Sequence, residues 1–89
     1  MNVFKRSWDL DIVAAGSLGV CRFDDFQRTL GISRKVLSER LKWLTGAGIL
    51  ERRKYQNAPD RYEYLLTEKG RGLLPVLAAM KQWEERWGQ

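Results

Sequence analysis

Apolar residues recur every three to four positions in four stretches of this chain and every second position in one, and the changes of period divide it into elements. In WDLDIVAA, Trp8, Ile12 and Ala15 fall on one helical face with Asp9 and Asp11 near the start, where the helix dipole favours acids. This predicts a first helix over 8–15, ended or frayed by Gly16-Ser17-Leu18-Gly19. A second helix is expected from Asp24, with Phe23, Phe26 and Leu30 turned to the core. The Asp24 carboxylate is placed to cap free amides, and Gln27, three positions on, to reach back in a capping box. Gly31 closes that helix where a left-handed residue is commonly needed, Ile32 plugs the corner, and Ser33 is the N-cap of a third helix from about Arg34 to Ala47. At about 100° per residue, Val36, Leu37, Leu41 and Leu44 share one arc and Lys35, Ser38, Glu39 and Lys42 lie near the opposite one.

Glycines 46 and 48 bracket the end of the third helix, and from Ile49 the period drops to two. In RYEYLL, Tyr62, Tyr64 and Leu66 alternate with Arg61, Glu63 and Leu65, while Asn57-Ala58-Pro59-Asp60 supplies turn formers. A hairpin over about 49–66 follows. Thr67 then caps a C-terminal helix to about Trp87, which Pro75 must kink or restart because it lacks an amide donor. Leu73, Leu74, Leu77, Met80, Trp83 and Trp87 form a stripe wider than a domain of this size obviously needs.

Helix, tight turn, second helix and basic hairpin, in that order, read as a winged helix-turn-helix: mainly α with a small β-hairpin. Eighty-nine residues make one domain, 1–89, with the helix-turn-helix at about 24–47, the wing at 49–66 and the last helix at 67–87. The formal charge of +5 favours an anionic partner, and its placement on the third helix and hairpin favours nucleic acid over a membrane surface. The opening MNVFKRSW is too short and polar for a signal peptide, and no apolar run approaches the ~20 residues that span a bilayer. One cysteine precludes an internal disulfide and fits a reducing compartment, so a soluble, cytoplasmic protein is expected. With no histidine, no cysteine pair, no nucleophile elbow and no phosphate-binding glycine loop, neither catalysis, a metal nor a cofactor is expected.

The chain also resembles the HxlR-type branch of winged-helix transcription regulators, related to the MarR group. The carrying segments are RFDDFQRTLGISRKVLSERL, AGILERRKYQNAPDRYEYLLTEKG and LLPVLAAMKQW. Most diagnostic is the order Pro59, Arg61, Glu63, Tyr64, Leu66, Thr67, Gly70. The resemblance implies a homodimeric regulator that binds operator DNA, with the second motif helix in the major groove and the wing on the backbone or minor groove. Members usually carry a longer segment ahead of the residue matching Trp8, often with a cysteine near its beginning; here seven residues without cysteine stand there.

Ser33, Arg34, Lys35, Ser38 and Lys42 are the candidate recognition face, since cationic and hydroxyl side chains can donate to base edges and a helix N-terminus suits phosphate. Glu39 could accept from a cytosine amine or pair with Lys35 or Lys42, whereas Arg40 falls on the apolar side and is expected to lie along the core edge, or to pair with an acid, rather than to read a base. On the wing, Arg53 and Arg61 are favoured for phosphate contact, with Asn57 at the tip; alternation sends Arg52 and Lys54 to the other face. Tyr55, Tyr62 and Tyr64 are expected to pack the wing rather than stack on bases. Trp8, Met80, Trp83 and Trp87 are candidates for a dimer seam, against packing of Trp83 and Trp87 on Trp8 within one chain. Cys21, beside Arg22, is a candidate redox-sensitive thiol because a nearby cation lowers a thiol's pKa. A rival reading is a winged helix used for protein interaction or assembly, its basic wing serving solubility alone. An effector is not legible.

Overall fold

Short-range signals set most helix ends in the computed structural model, which describes residues 8–88. The elements in order are α1 (Trp8–Ser17), α2 (Phe23–Leu30), α3 (Arg34–Gly46), β1 (Leu50–Gln56), β2 (Arg61–Leu66), α4 (Glu68–Arg71) and α5 (Leu74–Trp87). Gly31 ends α2 at φ 66°, and its amide donates to the Gln27 carbonyl. Ser33 begins α3, its hydroxyl accepting from the Val36 amide at 3.2 Å. Both ends were readable because each depends on residues within four positions.

The start of α2 differs from the sequence expectation. The helix begins at Phe23, its N-cap is Arg22 in extended conformation, and no side chain caps it, so the Asp24–Gln27 capping box does not form. The cause is distant in sequence. Arg22 pairs with Glu63 as an antiparallel bridge, and the Tyr64 amide donates to the Cys21 carbonyl at 2.7 Å. This short third edge of the sheet holds Cys21-Arg22 extended until α2 begins, which leaves Asp24 and Asp25 inside the first turn, where the dipole still favours them.

β1 and β2 pair antiparallel. Leu50 opposes Leu66, Arg52 opposes Tyr64 and Lys54 opposes Tyr62 on one face; Glu51 opposes Leu65 and Arg53 opposes Glu63 on the other. A register shift at Tyr55 then sets Gln56 opposite Arg61. The core gathers one apolar face from each helix of the motif and the first residue of the wing: Ile12, Ala15, Phe26, Ile32, Leu37, Leu41, Leu44 and Leu50. Trp8, Phe23, Val36, Tyr64 and Leu66 pack around it half-buried. Burying one such Leu, Ile or Phe is worth about 1.5–3 kcal/mol, so these few side chains carry much of a small domain's stability.

Thr67 and Gly70 clasp the end of α3 to the last helices. The Thr67 hydroxyl caps α4 by accepting from the Gly70 amide at 3.0 Å, and it lies 2.6 Å from the Gly48 carbonyl, to which it donates. A Cβ at Gly70 would stand 2.2 Å from the Ile49 carbonyl oxygen, so only glycine lets the two backbones meet. Lys69 adds a bond from Nζ to the Ala47 carbonyl at 2.8 Å. The clasp gives the Thr-x-x-Gly part of the motif a structural meaning. Beyond it, Pro75 occupies the first turn of α5, where its missing amide costs nothing, so the helix restarts rather than kinks. α5 leans on α1 and buries none of its own residues.

Candidate nucleic-acid interface

The same period that seats Leu37, Leu41 and Leu44 in the core turns Arg34, Lys35, Ser38, Glu39 and Lys42 outward, all exposed. Lys35 and Lys42 have no ion pair with Glu39, and they project as free cations. Ser33 uses its oxygen as a cap and keeps its proton to donate outward. Arg34 reaches back over α2, its guanidinium 4.8 Å above the Phe23 ring and 3.6 Å from Asp24. Both partners are open to solvent, so that pair is weak and easily exchanged for a phosphate. Arg40 behaves as its wheel position requires: it bonds Asp9 of α1 at 3.1 Å and leaves the outer face.

The wing meets this surface at its outer half. Tyr55, Arg61 and Tyr62 line one side of a cleft of about 380 Å³, and Arg22, Phe23, Asp24, Asp25 and Arg28 line the other. Phe23 therefore touches both the Arg34 side and the Arg61 side, so the N-terminal ends of α2 and α3 and the outer wing form one continuous surface. Arg61 has no acidic partner, and Asn57 is exposed at the tip. Arg28 pairs with Asp25, and Lys54 with Asp60 at 3.3 Å. The tyrosines serve the wing itself. Tyr64 packs on the core, Tyr62 carries the Arg52 guanidinium 4.3 Å above its ring, and Tyr55 carries that of Arg22 at 4.2 Å. These cation–π contacts hold extended side chains in place.

Two expectations change. Arg53 does not join Arg61: its guanidinium is bonded to Glu51 at 3.1 Å and lines a separate cavity with Gly16, Cys21, Arg71 and Leu74, to which α3 contributes nothing. Strand alternation separated Arg53 from Arg52, and long-range packing decided which face belonged to which surface. Cys21 also departs from its sequence reading. Burial pushes its thiol pKa up, and the Glu63 carboxylate, which accepts from Sγ at 3.7 Å, adds to the rise; together they outweigh the lowering by Arg22. A raised pKa leaves less thiolate, which is the opposite of an activated thiol.

Of the dimer candidates, Trp8 is half-buried against the core. Along α5, Val76, Met80, Trp83 and Trp87 follow one another at spacings of four, three and four; Met80 is half-buried, while Val76, Trp83 and Trp87 are 51%, 43% and 59% exposed. Arg22, Arg28 and Arg71 escaped the sequence reading. Arg22 carried a weak signal, a basic residue directly ahead of a helix, whereas the other two acquire meaning from what folds beside them.

The family model described as HxlR-like helix-turn-helix matches residues 3–89. The chain belongs to the HxlR-like helix-turn-helix family. An HTH-type transcriptional regulator of Mycobacterium tuberculosis is 40% identical over 87 residues, covering 98% of this chain and 55% of that protein. The HTH-type transcriptional regulator YvaP of Bacillus subtilis is 35% identical over 88 residues, covering 98% of this chain and 82% of its own length. Among solved structures, the reduced form of the transcriptional regulator YodB from B. subtilis aligns with a TM-score of 0.82 at 35% identity, covering 92% of this chain and 81% of YodB. The redox regulator HypR in its reduced form gives 0.81 at 34%, with 92% and 82% covered. This HxlR-like chain spans about half the length of its mycobacterial relatives. These relatives are regulators, not enzymes. Among the described residues no helix is long and apolar enough to cross a membrane.

Proposed function

We propose that this HxlR-like chain binds duplex DNA, with α3 in the major groove and the outer wing on the flanking backbone or minor groove. The observation that supports the reading is that Arg34, at the start of α3, and Arg61 of the wing lie on either side of Phe23, next to the exposed polar arc of α3 that carries Lys35, Ser38 and Lys42. Lys35, Ser38 and Lys42 face base edges, Ser33 and Arg34 at the helix N-terminus face phosphate, and Arg61 and Asn57 follow the backbone beyond. Arg53 is left out of this set, because it lines the cavity shared with Arg71 rather than the cleft lined by Arg61.

The partner for α5 is a second copy of the chain. Val76, Met80 and Trp87 lie along a side of α5 that the other described residues leave partly open, with Val76 and Trp87 more than half exposed, and a two-fold seam between two such strips is self-complementary. A two-fold dimer would set two copies of α3 into successive major grooves of a pseudo-palindromic site, with half-sites about 34–36 Å apart. The names of the relatives support transcription regulation as the setting.

The test is a fluorescence anisotropy titration against randomised duplex DNA at two salt concentrations, with the bound pool selected and sequenced. Binding that weakens with salt and enriches a two-fold symmetric site is expected. Salt-dependent binding without enrichment would remove base readout by α3, and no binding at low salt would remove the proposal. Light scattering at micromolar concentration should give twice the chain mass, and a single-chain mass would remove the seam.

A further inference from the structure

A second site lies on the wing face turned away from α3. The α1–α2 turn (Gly16 to Cys21), the inner wing and the start of α5 enclose a half-open cavity of about 470 Å³, within the range of small-molecule sites. Its wall is apolar at Val20, Leu65, Leu66 and Leu74. Gly16 keeps that wall open, since a Cβ there would press on Leu66 at 3.3 Å. Beside the rim residues Ser17 and Gly19, Leu18 stands 86% exposed. Two guanidinium groups line the cavity, and they are not equivalent. Arg53 is engaged by Glu51, whereas Arg71, in the last turn of α4, has no acidic partner among the described residues.

We infer that this cavity binds a small organic monocarboxylate, with Arg71 holding the carboxylate and the leucine wall taking an aromatic or branched aliphatic body. A planar guanidinium matches a carboxylate in a two-point bond, and the apolar wall rewards a body that a simple inorganic anion lacks. The charge of the lining matches one negative charge rather than two, since Glu51 offsets Arg53 and leaves Arg71 as the one uncompensated cation among the residues that line the cavity. The cavity joins the wing to the start of α5, so its occupant would fix the wing relative to the helix given above to the partner copy. That regulatory consequence rests on the DNA-binding reading, whereas occupancy does not.

Benzoate and 4-methylpentanoate, with benzamide and inorganic phosphate as controls, should be titrated into the full-length chain without DNA while amide NMR shifts are followed. The two carboxylates are expected to shift Gly16, Gly19, Cys21, Leu65 and Leu66, and the controls to leave them in place. Arg71→Gln, whose fold is checked by its melting temperature, should weaken carboxylate binding about tenfold or more, with Arg71→Lys keeping part of it. Unchanged affinity in Arg71→Gln, equal shifts with benzamide, shifts confined to α3 and the outer wing, or no shifts at millimolar carboxylate would each overturn the inference. DNA titrations with and without benzoate then read the coupling separately: a cavity that fills without changing DNA affinity overturns the regulatory consequence alone.

Discussion

α3 and α5 are amphipathic helices of nearly equal length, 13 and 14 residues, and they finish their apolar stripes in opposite ways. α3 sinks Leu37, Leu41 and Leu44 into the core and presents lysines to solvent, with Trp43 exposed near its C-terminal end; α5 buries nothing completely and presents Val76, Trp83 and Trp87. A stripe in sequence therefore states that a helix face seeks cover without stating whether the cover is intramolecular. Here α2, α1 and β1 close over α3, while α5 has α1 on one side and an open strip on the other. The proposed function divides the work along this difference, with α3 on nucleic acid and α5 on a second copy.

The largest break in this comparison should come from the α3 core. Leu41→Ala, at a position 1% exposed, should cost about 2–5 kcal/mol and lower the melting temperature steeply, because a small domain cannot refill the cavity. Trp87→Ala should separate the helices most cleanly. It should leave the stability of the single chain within about 0.5 kcal/mol and weaken self-association by about 2 kcal/mol, roughly thirtyfold, in sedimentation equilibrium. A fall in single-chain stability with unchanged association would return Trp87 to intrachain packing.

On the outer face, Arg34→Ala and Arg61→Ala should each reduce the salt slope of DNA binding by about 0.9, with Arg53→Ala giving less because that guanidinium lines the separate cavity. Equal slopes for all three would put Arg53 back on the DNA side.

The smallest effect lies at Cys21 and serves as a control for both helices. Its raised pKa means that the folded chain keeps a proton that the unfolded chain releases near pH 8.5. That contribution is whole below the ordinary thiol value and is lost as pH rises through the raised one, a decline in melting temperature that Cys21→Ala should lack. Glu63→Gln should lower the pH at which iodoacetamide reacts with Cys21, and an unchanged midpoint would free the thiol from that carboxylate.

Element order, the Gly31 and Ser33 turn and the two arcs of α3 could be read from the chain alone, because periodicity and capping act over three or four residues and leave local traces. Pairing of Arg40 with an acid was legible too, from its angle on the wheel. The start of α2, the companions of Arg53, the proton affinity of Cys21 and the open side of α5 belong to the folded molecule. Each depends on contacts between separate elements: Glu63 beside Cys21, Tyr64 bonded to the Cys21 backbone, Arg71 and Gly16 beside Arg53 around one cavity. Local sequence sets which way a side chain leaves its own element; what it meets there depends on how distant elements pack.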